Sequence, residues 1–400
     1  MKRYVIIGAG VAGNSAAEKI RNADPEGRIV MFSEEPEPFY YRVRLPEVVS
    51  GQADLKKITI HPPEWYEQHR IELRLGEAVA SVDADAGVVV SASGTRVEYD
   101  ALLLAAGARS FIPPVPGSDK PGVFALRTYA DAKAIAAKAE NISEAILIGG
   151  GLLGLEAGYG LTSRGIKCQV VEFFDRLLPR QMDPAGAAKL QSRLEAQGFT
   201  FYLGARSKEI VGANAAEGLA LEDGRVVRGD LVLFSAGVRP NLDLAKAMGL
   251  ETDKGVKVDD RLTTSRSNVW AAGDLIEHRG RVYGIWPAAK EQGDAAGVNM
   301  AGGSAVYTGT VMSNSLKVVG VDLTSAGEID AEGKFESAVF ETADAYRKIV
   351  FDGGRIVGAI FYGLTKGVKE TLAAMKKGVD CGAFKAGMGQ GDFDFSKLNA

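Results

Sequence analysis

Cysteine is scarce in these 400 residues: there are two, Cys168 and Cys381, and they form no CxxC or CxxxxC pair. Histidine is hardly commoner, with His61, His69 and His278 scattered along the chain. Zinc and iron–sulfur centres need about four clustered ligands, so a protein-borne centre of either kind is excluded. A redox-active disulfide is excluded by the same want of partners. Cys168 lies in the apolar run KCQVVEF and reads as a buried small hydrophobe.

Long apolar runs are also missing. The start, MKRYVIIGAG, enters a glycine turn after about four apolar residues, which is no secretory leader. The stretch AILIGGGLLGLEAGYGL is broken by glycines and carries Glu156, which makes it poor membrane-spanning material. Net charge is -4 and no half of the chain is a basic block, so nucleic acid is not an expected partner. The expectation is a cytoplasmic protein that binds neither membrane nor nucleic acid. With 46% hydrophobic residues the chain can bury two or three separate cores.

Glycine, by contrast, is abundant, and its placement is informative. KRYVIIGAGVAGNSAAEKIRN reads as a strand, a G-x-G-x-x-G turn at Gly8, Gly10 and Gly13, and a helix; the next strand, RIVMFSEE, brings Glu34 to its end. The grammar repeats: AILIGGGLLGLEAGYGLTSRG has its turn at Gly149, Gly151 and Gly154, and KCQVVEF ends on Glu172. With 49 glycines, about one bare G-x-G-x-x-G is expected by chance. Two copies, each between a strand and a helix and each about twenty residues before a carboxylate, are a dinucleotide fingerprint twice over. A helix N-terminus and its free amides suit a pyrophosphate, and the carboxylates suit ribose hydroxyls. A carboxylate at Glu172 repels a 2'-phosphate, so NADH is expected over NADPH, with Arg176 close enough to moderate the preference.

A second repeat supports the first. ALLLAAGARS and LVLFSAGVRP are apolar strands that end in Ala-Gly-x-Arg, and each closes a nucleotide-binding unit. FIPPVPGSDKPG reads as the crossover between them, because its prolines deny a continuing strand. A third piece, NVWAAGDLIE, places Asp274 after Ala-Gly, either as a helix N-cap or as a ligand-binding carboxylate.

This combination resembles the FAD-dependent pyridine nucleotide oxidoreductases of the glutathione-reductase type over about residues 1 to 310. The resemblance implies an α/β fold with two Rossmann-like domains, the second inserted in the first: 1–110 with 240–310 for FAD, and 111–239 for NADH. It implies FAD contacts at Gly8, Gly10, Gly13, Glu34 and Asp274, and NADH contacts at Gly149, Gly151, Gly154, Glu172 and Gly237. It further implies that Arg42 lies near the flavin pyrophosphate, that the Val79 backbone meets the adenine, and that Arg127 touches the flavin. Trp286, Pro287 and Ala288 would open a helix aimed at the flavin pyrimidine edge, and Glu156 would lie near the nicotinamide. Outside that context Arg42 and Arg127 read as solvated charges, Val79 and Trp286 as core, and Glu156 as helix surface.

Thiol-using branches of that family carry cysteine beside the flavin, one of them about where Val43 stands in YYRVRLPEVVSG. Without it, reduced flavin must pass electrons directly to an external acceptor. RLPEVVSG and SLKVVGVDLTSAG are most similar to NADH:rubredoxin oxidoreductases and to the flavin part of assimilatory nitrite reductase large subunits. Those subunits continue into a siroheme and iron–sulfur domain that needs several cysteines. The expected activity is therefore NADH-dependent reduction of a small carrier, rubredoxin or ferredoxin-like, by a monomer or homodimer. An NADH oxidase or diaphorase, a nitrite-reductase component, and a non-turnover FAD-binding redox sensor are the alternatives.

Glu47 stands where many ferredoxin-reductase relatives have lysine, and Arg44 is a candidate docking charge. Residues 311–400 read as a small α+β domain, with a hairpin at IVFDGGRIVGAIF and an amphipathic helix at KGVKETLAAMKKGVD. Lys317 falls there and could approach flavin or acceptor. The two phenylalanines of the tail AGMGQGDFDFSKLNA suggest that it docks on the body or on a partner.

Overall fold

The computed structural model describes residues 1–318 and 320–399, without the side chains of 315–318 and 399. Its first sheet runs, in spatial order, Val269–Ala271, Ala101–Leu104, Arg3–Ile7, Arg28–Phe32 and Ile71–Arg74, all parallel. These strands are short β-branched and aliphatic runs, as parallel strands covered on both faces require. The second sheet has the same plan: Phe199–Tyr202, Lys167–Val171, Glu144–Ile148, Leu231–Phe234 and Val123–Ala125. Every strand of the second sheet lies in sequence between Ala101–Leu104 and Val269–Ala271 of the first. The α/β fold with two Rossmann-like units is thus as the sequence suggests.

The first unit closes through a tight helix crossing. Helix Trp286–Met300 lies across helix Val11–Ala23, and a Cβ on Gly293 or Gly297 would collide with the Ala12 or Ala16 carbonyl. Only hydrogen at those positions lets the two backbones touch. The crossing brings the N-termini of both helices to the same end of the sheet.

The two Ala-Gly-x-Arg repeats meet each other. Ala108–Ser110 pairs antiparallel with Val238–Pro240, and Arg239 lies opposite Arg109. Asn241 fastens the pair from its side chain to the Ala106 carbonyl at 2.8 Å and from its backbone to the Gly107 carbonyl at 3.0 Å. The chain therefore leaves and re-enters the first unit through one two-stranded junction, and residues 111–122 after it contain no strand.

The C-terminal part is an antiparallel sheet in the order Ser313–Val318, Val321–Gly327, Arg355–Tyr362, Tyr346–Asp352 and Glu336–Glu341, with helix Val368–Lys377 against it. The expected hairpin turns on Gly353 and Gly354, both at positive φ, which is the geometry of a tight two-residue loop. A buried polar cluster fixes this part to the second unit. Asp183 accepts from Tyr346 Oη at 2.6 Å and caps helix Pro184–Glu195, while Lys348 lies 3.5 Å from Asp183 and 3.7 Å from Asp330. The tail docks on its own body: Phe395 is 2% exposed, and the Arg347 guanidinium sits about 5 Å from both the Phe395 and Phe340 rings. Among the described residues no helix is long and apolar enough to cross a membrane.

Candidate functional site

The three glycines of each turn answer to different neighbours. Gly8 has φ +113°, and a Cβ there would strike the Ala105 carbonyl; Gly13 lies against the Gly8 carbonyl. Those two are required by the protein's own packing. Gly10 is not: its φ is an ordinary −81° and no atom lies within 4 Å of where its Cβ would be. The room above it fits a group that the chain itself does not supply. The second turn repeats the pattern, with Gly149 and Gly154 against Ser235 and Gly151 open to 3.8 Å. Both cradles therefore fit a pyrophosphate laid on a helix N-terminus.

The carboxylates are less alike than the sequence implies. Glu34 is exposed just past its strand, but its neighbour Glu35 turns inward. Glu35 accepts from Tyr40 Oη at 2.5 Å and forms an ion pair with Arg42, whose Nη1 also reaches the Arg127 carbonyl at 2.7 Å. Glu172 is 6% exposed and accepts backbone N–H from Gly150 at 2.6 Å and Phe174 at 2.9 Å. It closes the glycine turn instead of standing free for a ribose. Arg176 does not stand free either, since it braces its own loop at the Pro179 and Met182 carbonyls.

Arg127 and Asp274 are 147 residues apart and meet at 2.9 Å. Asp274 caps no helix; it sits in the turn before strand Ile276–His278, and that turn is held by Gln292 Oε1 on the Gly273 N–H at 2.8 Å. Trp286 opens its helix as expected, with Pro287 exposed behind it and Ala288 buried. The indole is stacked between Tyr41 at 5.2 Å and Phe39 at 5.7 Å. Gly8, Gly10, Gly13, Arg42, Arg127, Asp274 and Trp286 thus gather at one end of the first sheet. Val79 begins the separate strand Val79–Asp83 and packs on the first core. Arg42 and Arg127 are therefore paired groups inside the site, not solvated charges.

Where the units face each other, helix Leu45–Val49 packs on helix Leu152–Thr162, and a Cβ on Gly160 would lie 2.9 Å from the Pro46 carbonyl. This contact brings two carboxylates together. Glu47 is gripped by Arg44 through both oxygens, at 2.8 and 2.6 Å. Burial, with the Glu47 charge adding to it, pushes the Glu156 carboxyl up to about 7. Arg44, being held by Glu47, is less free to dock a partner than its sequence context suggests. Gly237, at φ +89°, adjoins a cleft of about 870 Å³ whose wall includes Arg109, Arg180, Val238, Arg239 and Arg281. Val43, where a thiol would stand in other branches, is 45% exposed. Cys168 is buried and its thiol is pushed up to about 12 by that burial. Lys317 belongs to strand Ser313–Val318 and its side chain is outside the described residues.

Sequence reading missed Glu35, whose only cue is its place in EEPEPFYYR, and Asn14, which follows the third glycine at a position that is leucine in the second turn. Among the described residues no three His, Cys, Asp or Glu side chains are grouped to hold a metal ion.

Two glycine turns at helix N-termini, one in each of two Rossmann-like units on one chain, with a third sheet fixed to the second unit, define a two-dinucleotide fold. The chain belongs to the pyridine nucleotide-disulphide oxidoreductase family, whose model matches residues 2–293. Residues 313–379 match the rubredoxin NAD+ reductase C-terminal domain. The family's cofactors are FAD and NADH. A nitrite reductase [NAD(P)H] of Bacillus subtilis is 38% identical over 95% of this chain, which spans 48% of that relative. The chain is thus about half the length of that relative. An NADH-rubredoxin oxidoreductase of Clostridium acetobutylicum is 30% identical over 90% of this chain and 92% of its own. The crystal structure of a ferredoxin reductase from Rhodopseudomonas palustris superimposes with a TM-score of 0.90 at 25% identity, over 100% of both chains.

Proposed function

We propose that the chain takes reducing equivalents from NADH at the second cradle and delivers them to a small cytoplasmic electron-carrier protein, rubredoxin or ferredoxin-like, through FAD at the first. The observation that carries this reading is the missing thiol. Val43 stands about where thiol-using branches carry cysteine, and both cysteines, Cys168 and Cys381, are buried. Bound FAD supplies the conversion between a two-electron hydride donor and a one-electron acceptor.

The protein's part is orientation and charge. The amides of the turn at Gly8, Gly10 and Gly13 would hold the FAD pyrophosphate, Arg42 would lie beside it, and Asp274 with Arg127 would fix the ribityl chain. Val79 would offer its backbone to the adenine and Glu34 its carboxylate to the ribose. The N-terminus of the helix at Trp286, Pro287 and Ala288 favours negative charge on whatever lies against it. Gly149, Gly151 and Gly154 would seat NADH on a turn that Glu172 closes from beneath, and Gly237 and Glu156 would flank its nicotinamide. Glu156 is neutral below about pH 7 and charged above it, so the charge beside the nicotinamide changes within the working range.

Steady-state turnover of the FAD-loaded protein with NADH and rubredoxin, ferredoxin or oxygen tests the reading. Rapid reduction of a carrier is expected; oxygen turnover indifferent to either carrier would make the protein an NADH oxidase instead. A second reading, electron entry to a nitrite-reducing partner, is favoured by the likeness to roughly half of a nitrite reductase. It predicts that a siroheme protein, and not rubredoxin, accepts the electrons.

A further inference from the structure

The two glycine turns superimpose in sequence, Gly8 to Asn14 on Gly149 to Leu155, yet they are braced in opposite ways. Asn14 is 1% exposed, and its amide donates to the Ala9 carbonyl at 2.7 Å and to the Gly10 carbonyl at 3.0 Å. Its own oxygen accepts from Tyr66 Oη at 2.7 Å and faces His61 Nδ1 at 3.3 Å. The amide is thus held on both ends and cannot turn over.

A trans peptide directs its C=O and N–H to opposite sides. Drawing the Ala9 and Gly10 carbonyls inward to Asn14 therefore turns the Gly10 and Val11 N–H groups outward, toward the open space at Gly10. Two donors aimed at one concavity make an anion nest, and no reorganisation is needed when the anion arrives.

The second turn lacks this brace. Leu155, fully buried and apolar, occupies the position of Asn14. There Glu172 engages the Gly150 N–H, the counterpart of the Ala9 N–H, and adds a negative charge beneath the turn, while the Gly151 carbonyl has the helical bond from the Leu155 N–H at 3.0 Å but no side-chain amide to fix the peptide before it.

We propose that Asn14, locked by Tyr66 and His61, is a positioning residue that presets the first turn for a permanently held FAD, and that the unbraced second turn is what lets the nicotinamide nucleotide exchange. The inference rests on the reading of the first cradle as the FAD site.

The test uses the full chain stripped of flavin. FAD affinity is read from flavin fluorescence, NADH affinity from its own fluorescence, and the melting midpoint of the apoprotein is followed in parallel. Asn14→Leu, which copies the second turn, should loosen FAD by about tenfold or more, as loss of one or two hydrogen bonds implies. Asn14→Asp keeps the Tyr66 contact but cannot donate to the carbonyls, and should loosen FAD at least as much. Tyr66→Phe should loosen it by about threefold. NADH affinity should be unchanged in all three.

Gly10→Val separates the two levels of the argument. Its Cβ meets no protein atom, so the apoprotein should stay folded, with its melting midpoint lowered only by the poorer helix N-cap, while FAD binding is lost. If Gly10→Val abolishes FAD binding but Asn14→Leu and Asn14→Asp leave it within about twofold of the parent, the brace is refuted and the site stands. If Gly10→Val leaves FAD binding intact, the site assignment itself is wrong. Should Asn14→Leu fail to fold, Tyr66→Phe decides: unchanged FAD affinity overturns the inference.

Discussion

Replacing Glu156 by glutamine should stabilise the apoprotein at alkaline pH and do little at acid pH. The folded protein raises this carboxyl from 4.5 to about 7, through burial first and the Glu47 charge second. A raised acid takes up its proton on folding. Its contribution to stability is complete below the unfolded value and is lost as pH climbs through 7. At about 1.4 kcal/mol per pH unit across that gap, the charged form costs roughly 3 kcal/mol above pH 8 and under about 1 kcal/mol at pH 5.

An unfolding entropy of about 2.1 cal/mol/K per residue gives about 0.8 kcal/mol/K for a chain of this length, so 3 kcal/mol corresponds to about 4 °C. Differential scanning fluorimetry of parent and Glu156→Gln from pH 5 to 8.5 should show the two midpoints separating by about 3 °C over the range, the variant higher. Parallel curves, or a gap that widens toward acid, would refute the burial of Glu156 as an upward-shifted carboxyl.

Four further outcomes follow from the geometry. Gly8→Ala, unlike Gly10→Val, should misfold the first unit, because its Cβ would strike the Ala105 carbonyl at a backbone angle that side chains avoid; circular dichroism of the two variants separates these effects. Asp274→Asn breaks a half-buried ion pair with Arg127 and should cost about 1 kcal/mol in urea unfolding while weakening FAD binding as well. Lys348→Met leaves Asp183 and Asp330 buried without their cation and should cost about 3–5 kcal/mol, with the C-terminal part released first in limited proteolysis. Cys168→Ala and Cys381→Ser should leave carrier reduction unchanged, and loss of turnover in either would restore a thiol to the mechanism.

The strands, the two turns and the interrupted order of the sheets were legible because each rests on local chemistry: alternation of strand and helix, glycine where a Cβ cannot fit, a carboxylate at a strand end. What the sequence could not show was which neighbour each polar group chooses. Glu34 and Glu35 are adjacent in EEPEP, and only the position of Arg42 and Tyr40 decides that Glu35 is the one drawn inward. Glu172 matches its motif, yet the backbone donors at Gly150 and Phe174 claim both its oxygens. Asp274 could equally have capped a helix, until the next element proved to be a strand. Glu47 and Glu156 look unrelated in sequence and are neighbours only because two helices from different units pack. Pairings that cross the chain depend on three-dimensional closure, and a one-dimensional pattern carries no record of them.

The interrupted first sheet also dictates when that unit can be finished on the ribosome. Strand Ala101–Leu104 needs Val269–Ala271 beside it, about 165 residues later in the chain. At roughly 5–20 residues per second, that edge waits some 8–30 s after emerging. In the interval every strand of the second sheet, from Val123 to Phe234, is made. Each new molecule thus has all the strands of its second sheet before the last strand of its first. A truncated nascent chain would offer an unpaired apolar strand to chaperones or to another copy of itself.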